Sequence, residues 1–325
     1  MLSFDMIKAA QQRIEHHAVK TPLLKSHYLD AFLEADIWLK CENLQRTGSF
    51  KFRGAYNAIS QLSAKERARG ILASSSGNHA QGVAEAAQLM GTKATIVMPH
   101  DAPFVKKHRT QRSGATIVEY DRVQENRDEV VKALLQENDA VFIHPFDNMD
   151  VMAGQGVIGL EIMDQLKEHN RTPDIITICQ GGGGISAGIS TAIKHLSPQT
   201  ALYGAEPEDF DDTKRSFEQG ERVKNDPQNH SICDAILVSP PGDMTFPINQ
   251  QNLSAILTAS DEMALKTMRI LYEECKLIVE PGGCVSLAAL LFHNNIPLKG
   301  KTIVATLTGG NVDKAMFDRA LQTPL

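Results

Sequence analysis

Ile175-Ile176-Thr177-Ile178-Cys179-Gln180-Gly181-Gly182-Gly183-Gly184-Ile185-Ser186-Ala187-Gly188 joins an apolar, β-branched run to a helical pattern through four consecutive glycines. A strand that passes through such a loop straight into a helix is the repeating unit of a parallel α/β sheet. Ordering four glycines costs considerable backbone entropy, which argues against a turn with no ligand. Their N–H groups can crowd around an anion at the helix start, and the Lys-Ser/Thr pair of a nucleoside-triphosphate loop is missing. Two ligands fit the local pattern. One is a simple phosphate; the other is a dinucleotide, because Gly182, Gly184 and Ala187 satisfy G-x-G-x-x-G/A and Glu206 ends the next strand.

The same alternation extends in both directions. Upstream, extended stretches at 71–75, 94–98, 116–119 and 140–143 alternate with helical ones at 78–90, 103–113 and 124–138. Downstream, strands at 201–205, 255–259 and 302–307 alternate with helices at 185–195, 261–275 and 285–292 and a last helix from Val312. A surface helix is expected over 3–19, closed by Thr21-Pro22-Leu23-Leu24, then a short strand over 37–41 and a long helix over 151–168. Residues 196–254 are richer in Pro, Asp and Asn and read mainly as loops with short helices, and Glu280-Pro281-Gly282-Gly283 reads as a turn. The expected fold is α/β with two domains, each an open, mostly parallel sheet flanked by helices. Residues 1–65 and 150–325 form the large, cofactor-binding domain, and 66–149 a small inserted domain that closes over substrate. Ligands then belong beyond the carboxyl ends of the strands.

A chain of 325 residues is long enough for two cores, and 42 % hydrophobic with 22 % charged residues is an ordinary globular composition. A net charge of −6 without any long Lys/Arg run argues against a nucleic-acid partner. Cys41, Cys179, Cys233, Cys275 and Cys284 are widely spaced, odd in number and free of C-x-x-C pairs, as expected of reduced thiols in the cytoplasm. The N-terminus lacks signal-peptide character and no apolar run approaches a membrane span.

Glu42-Asn43-Leu44-Gln45-Arg46-Thr47-Gly48-Ser49-Phe50-Lys51-Phe52-Arg53-Gly54-Ala55 sets a lysine between two phenylalanines. Thr47-Gly48-Ser49 reads as a turn followed by an N-cap, and Phe52, Ala55, Tyr56 and Ile59 continue at helical spacing. Lys51 therefore falls in a first helical turn, where the dipole disfavours a cation and encourages a neutral amine, the form that makes a Schiff base with a carbonyl. Ser74-Ser75-Ser76-Gly77-Asn78-His79-Ala80-Gln81-Gly82 also lies between a strand and a helix, where its polar groups suit a carboxylate or simply an N-cap by Ser76 or Asn78. Leu307-Thr308-Gly309-Gly310-Asn311 follows the last strand and offers a hydroxyl beside two glycines.

Taken together, Ser49 through Ala55, Ser75-Ser76-Gly77-Asn78-His79, Gly181 to Gly184 and Thr308-Gly309-Gly310-Asn311 resemble, in this order, the loops of fold-type II pyridoxal-phosphate enzymes, the tryptophan-synthase-β-like fold. The resemblance spans essentially the whole chain and is nearest to the threonine/serine dehydratase and serine racemase branch. Met98-Pro99 through Asp101-Ala102-Pro103, His144-Pro145-Phe146-Asp147 and Ala153-Gly154-Gln155-Gly156 match it as well. It implies Lys51 as the Schiff-base lysine and general base, Phe50 packed on the pyridine ring and Asn78 on the ring 3'-oxygen. Gly181, Gly182, Gly183 and Gly184 would hold the phosphate and Thr308, where the family more often has serine, the ring nitrogen. Ser75, Ser76, Asn78 and His79 would receive the substrate carboxylate.

The resemblance further implies a divalent cation, Mg2+ or Ca2+, on Glu206, the Phe210 carbonyl and Asp212, against the plainer reading of a solvated acidic loop. It implies a homodimeric carbon–nitrogen lyase that converts a β-hydroxy L-amino acid to a 2-oxo acid and ammonia. A neutral hydroxyl at Thr308 leaves the ring a moderate electron sink, which favours elimination, whereas Ser76 matches the residue that serves racemases on the opposite face. Because the chain ends at Leu325, without room for the C-terminal regulatory domain of biosynthetic threonine dehydratases, a catabolic role or a specialised substrate is expected. Phe146, where racemases tend to be polar, points towards threonine, with serine and 3-hydroxyaspartate as alternatives. An NAD-dependent oxidoreductase and a non-catalytic pyridoxal-phosphate binder are the readings from other classes.

Overall fold

The structure is a computed structural model that describes residues 1–102, 104–121, 123–292 and 296–325. Its strands are β1 (Leu23–Lys25), β2 (Asp36–Cys41), β3 (Ile71–Ser74), β4 (Ala94–Pro99), β5 (Thr116–Tyr120), β6 (Val141–Phe142), β7 (Ile175–Cys179), β8 (Ala201–Pro207), β9 (Ala255–Ala259) and β10 (Thr302–Leu307). The first half contributes helices α1 (Phe4–Ile14), α2 (His27–Leu33), α3 (Lys51–Ser60), α4 (Ala64–Arg69), α5 (Asn78–Leu89), α6 (Phe104–Arg112), α7 (Arg127–Asn138) and α8 (Met149–Glu168). The second half adds α9 (Gly184–Leu196), α10 (Asp212–Gln219), α11 (Thr245–Asn252), α12 (Asp261–Cys275), α13 (Pro281–Phe292) and α14 (Lys314–Gln322).

Two sheets result. Six strands run in the order β1-β2-β10-β7-β8-β9 and four in the order β5-β4-β3-β6. Every pairing is parallel except β1 with β2. The expected α/β fold with two mostly parallel sheets is what the chain forms. In the larger sheet β8 and β9 are laid down on one side of β7, and β10 and β2 on the other. The loops after β7 and β10 therefore diverge, which opens a crevice at the strands' carboxyl ends.

Several local expectations need correction. The first helix ends at Ile14 rather than Val19. Thr21 to Leu24 leads into an edge strand, and α2, with Ser26 as its N-cap, was not anticipated because it is only 7 residues long. Pro281-Gly282-Gly283 is not a turn but the first turn of α13, whose residues 281–291 are all buried. That helix packs on β7, β8, β9 and β10. Proline is well suited to a helix start and buried glycines let the backbone come close to its neighbours, so turn composition misled here. The helix expected from Pro103 begins at Phe104, Pro103 itself lying outside the described residues.

On the opposite face, α8 packs against α9, α3 and α1. The approach is close because small residues meet: a Cβ on Gly154 would come within 2.6 Å of the Arg53 carbonyl, and one on Gly188 within 2.4 Å of the Met152 carbonyl. Under α3 lies a fully enclosed ion network. Arg53 donates to both oxygens of Glu42 at 2.8 Å and to both of Glu161 at 2.7 and 2.9 Å, and Lys40 donates to Glu161 at 2.6 Å. Two cations and two carboxylates cancel, and each is bonded, the condition under which charge can be buried.

Candidate active site

Lys51 is the first residue of α3, as expected, but Ser49 is not its N-cap: Phe50 takes that position without a side-chain bond. Ser49 instead forms an antiparallel bridge with Gly309, Phe50 N–H donates to the Thr308 carbonyl at 3.1 Å, and Gly310 N–H to the Gly48 carbonyl at 2.9 Å. These bonds sew the lysine loop to the loop after β10 and bring Lys51 and Thr308 to one cavity. Gly48 is required there, since its φ is +74° and a Cβ would meet Asn311 Oδ1 at 2.6 Å.

The cavity encloses about 620 Å³ and is lined by Phe50, Lys51, Ser75, Ser76, Asn78, His79, Gly181 to Gly184 and Thr308 together. Four loops separated by up to 258 residues in sequence thus converge, from Phe50 to Thr308. The Lys51 amine donates to the Pro145 carbonyl at 2.9 Å and stands 5.1 Å from the Phe50 ring centre. Burial pushes it down to about 8, so about a tenth is uncharged at pH 7, far more than for an ordinary lysine.

The glycine loop is pressed from behind. A Cβ on Gly182 would strike the Phe146 ring at 2.5 Å, and one on Gly183 would meet Asn249 and Thr245 at 2.6 and 2.8 Å. Thr245 Oγ1 donates to the Gly182 carbonyl at 2.6 Å and Asn249 Nδ2 to the Gly183 carbonyl at 3.0 Å. With these carbonyls held on the outer side and α9 starting at Gly184 without a side-chain cap, helix-start N–H groups remain for an anion in the cavity.

At the start of α5, neither Ser76 nor Asn78 is the cap; Gly77 is, with no side-chain bond. His79 Nε2 lies 2.9 Å from the Ile143 carbonyl and so carries the proton, while Nδ1 is a buried lone pair with no partner. Burial, reinforced by the Lys51 charge, pushes this imidazole down to about 3, and it stays neutral at working pH. Sequence reasoning missed Glu280, a buried acid that lines the cavity and accepts from Asn78 Nδ2 at 2.5 Å. Burial pushes its carboxyl up to about 7. An acid directly after the apolar run Leu277-Ile278-Val279 was the available signal. Arg127 and Lys132 of α7 also line the cavity and were not anticipated.

Glu206, at the end of β8, and Asp212, at the start of α10, lie away from this cavity. Glu206 accepts from Lys214 N–H at 2.7 Å, and Asp212 from Asn225 at 2.7 Å, while Asp212 Oδ2 is buried without a partner. Burial, with Asp212 as a further cause, pushes Glu206 up to about 8; burial pushes Asp212 up to about 7. Among the described residues no three His, Cys, Asp or Glu gather to hold a metal. A pair of enclosed carboxyls with an orphan oxygen nevertheless fits an oxygen-ligated cation that also takes a backbone carbonyl and water.

An uncapped glycine cradle and a partly uncharged lysine amine, at the carboxyl ends of a doubly wound parallel sheet, define an enzyme that holds a phosphorylated carbonyl cofactor. The chain belongs to the pyridoxal-phosphate dependent enzyme family, whose model matches residues 14–309. It is 44 % identical over 309 residues to an L-threo-3-hydroxyaspartate ammonia-lyase from Pseudomonas sp, covering 95 % of each chain. It also superposes on the crystal structure of a T.th. threonine deaminase with a TM-score of 0.90 and 42 % identity, covering 96 % of this chain and 99 % of that one. On a serine racemase from Dictyostelium discoideum the TM-score is 0.87 with 36 % identity, covering 96 % and 99 %. The dinucleotide reading of the glycine loop is thereby displaced, and Glu206 is no ribose ligand: its Oε1 is turned to the α10 backbone.

Proposed function

We propose that this protein is a pyridoxal-phosphate-dependent ammonia-lyase that releases ammonia from a β-hydroxy L-amino acid and leaves a 2-oxo acid, the water lost at Cβ being taken up again on hydrolysis. The observation that carries the proposal is the half-buried Lys51 amine, lowered to about 8 and facing the same cavity as the glycine cradle and Thr308. Gly181 to Gly184 would hold the phosphate, Phe50 and Thr308 the ring and its nitrogen, and Asn78 the ring 3'-oxygen. Bound pyridoxal phosphate supplies an electron sink for the pair left on Cα when its proton departs.

With the cofactor bound, the Lys51 amine would take the substrate's Cα proton. The β-carbon releases its hydroxyl, which leaves with a proton as water, and the freed enamine hydrolyses to 2-oxo acid and ammonia. Ser75, Ser76 and the uncapped N–H groups of α5 orient the substrate carboxylate, which the lone pair of His79 Nδ1 does not favour. Thr308 would offer the ring nitrogen a neutral hydroxyl rather than a charge, which favours elimination. Ser76 remains the residue through which a racemase side reaction would run.

Lys106, Arg127 and Lys132 in the cavity wall, the Arg127 guanidinium also pairing with Asp128 at 2.9 Å, support a second reading of the substrate. Arg127 and Lys132 share the wall with Ser75 and Ser76, and a distal carboxylate, as in 3-hydroxyaspartate, is the group they would attract. The Phe146 ring, which suggested threonine, is engaged against Gly182 and Gly184. The proposal includes residues 66–149 as a domain that closes on the substrate, a Mg2+ or Ca2+ on Glu206, Asp212 and the Phe210 carbonyl, and a cytoplasmic homodimer, for which the five free thiols support the compartment alone. A panel of L- and D-threonine, serine and 3-hydroxyaspartate, assayed for 2-oxo acid with wild type and Lys51→Ala, tests it. Turnover that survives in Lys51→Ala would refute the base.

A further inference from the structure

Helix α6 is fastened across the cleft. Lys106 pairs with Asp234, and Arg109 Nη1 donates to Asn311 Oδ1 at 2.9 Å. The second contact continues inward. Asn311 Nδ2 donates to the Thr47 carbonyl at 2.8 Å and to Asn78 Oδ1 at 2.7 Å, and Asn78 Nδ2 donates to Glu280 Oε1 at 2.5 Å. A guanidinium only donates, so Asn311 presents its oxygen to Arg109 and its amide nitrogen inward. Asn78 must then accept on Oδ1 and point its own nitrogen at Glu280. The chain has one direction, from a cation on α6 to an acid in the cavity wall. Both amides are held by their partners, Asn311 by Arg109, Thr47 and Asn78, and Asn78 by Asn311 and Glu280.

We propose that Arg109 is a positioning residue which, through Asn311, sets the orientation of Asn78 and hence the hydrogen bond offered to the cofactor ring oxygen. Docking of α6 on the larger sheet is in this way read at the ring, 31 residues along the chain from Asn78. The proposal rests on the reading of Asn78 as the ring-oxygen ligand. One of its two N–H groups is committed to Glu280 and the second is left for that oxygen. The chain is charge-assisted at its outer end and polarised along its length, so loss of the guanidinium weakens every bond behind it.

The test compares Arg109→Leu with Glu119→Gln in the holoenzyme, each checked by circular dichroism for an intact fold. Arg109→Leu is expected to shift the visible absorption band of the bound cofactor and its pH titration, and to lower kcat about tenfold with KM within about twofold, the size of a small misplacement. Glu119→Gln, which neutralises the partner of Lys107 on the same helix but outside the cavity lining, is expected to leave the band in place. An unchanged band in Arg109→Leu, or an equal shift in both variants, would overturn the relay. Borohydride labelling of Lys51 in the same wild-type preparation separates this outcome from failure of the cofactor reading itself, since an unlabelled Lys51 sinks that reading whatever Arg109 does.

Discussion

The Lys51 amine and the Pro145 carbonyl are hydrogen-bonded at 2.9 Å, which ties the helix of the larger sheet that bears the amine to the segment leaving the smaller one. The bond holds the nitrogen in the cavity mouth without a counter-ion. Burial then acts unopposed on its charge, and the amine falls from 10.5 to about 8.

Only the neutral amine attacks an aldehyde, so the rate at which apoprotein takes up pyridoxal phosphate should rise with pH along a single titration centred near 8. Stopped-flow absorbance across roughly pH 6–10 reads it, a range that brackets that midpoint. A midpoint near the ordinary lysine value would mean the amine is solvated. In the apoprotein the unfolded chain binds more protons between about 8 and 10.5, so stability should climb with pH through that window, and Lys51→Met should flatten the climb.

Gly183→Ala meets both a positive φ of +91° and the Asn249 and Thr245 side chains. Pyridoxal-phosphate affinity should drop at least about tenfold, a loss of roughly 1.4 kcal/mol, while the fold survives. Equilibrium dialysis of the apoprotein measures it. Retained affinity would place the phosphate elsewhere.

Arg53→Ala leaves Glu42 and Glu161 enclosed with one fewer cation. Denaturant unfolding should show a loss of about 3–5 kcal/mol, the usual cost of breaking a buried pair from one side. A change under about 1 kcal/mol would mean that water reaches the network.

Glu280 titrates upward on folding, from 4.5 to about 7. The unfolded chain releases this proton first, so raising the pH from about 4.5 to 7 should cost apoprotein stability, and the cost levels off above about 7. Glu280→Gln keeps an oxygen for Asn78 and has no proton to lose. Thermal melts against pH should therefore show a flatter profile for this variant than for wild type over that window.

If a cation sits on Glu206 and Asp212, chelation should lower the melting temperature and added Mg2+ or Ca2+ should restore it, through linkage to the folded state. The double substitution Glu206→Gln, Asp212→Asn should be indifferent to both. Wild type that ignores chelator and cation alike would leave the two carboxyls simply protonated.

Strands β2, β7, β9 and β10 were legible as short, nearly continuous apolar runs, and the long helices because their apolar residues recur at helical spacing. The lysine, serine and glycine loops were legible as a set because each carries a residue type that plain folding does not call for. Less visible was what depends on three-dimensional partners. Ser49 looks like an N-cap in sequence, yet its backbone is recruited by Gly309, and no local pattern announces a partner 260 residues away. Glu280 was hidden in the same way, since its role comes from facing Asn78, and α13 was masked by starting with proline and glycine in a buried setting.

The glycine contacts of α3, α8 and α9 leave no slack between these three helices. Any side chain larger than hydrogen at Gly154 or Gly188 would have to lever one backbone off another, and the displacement would reach Lys51 through the shared rod of α3. Tailoring this enzyme to a new substrate is therefore best attempted on the α7 wall, where Arg127 and Lys132 can be exchanged without disturbing the ground on which the lysine stands.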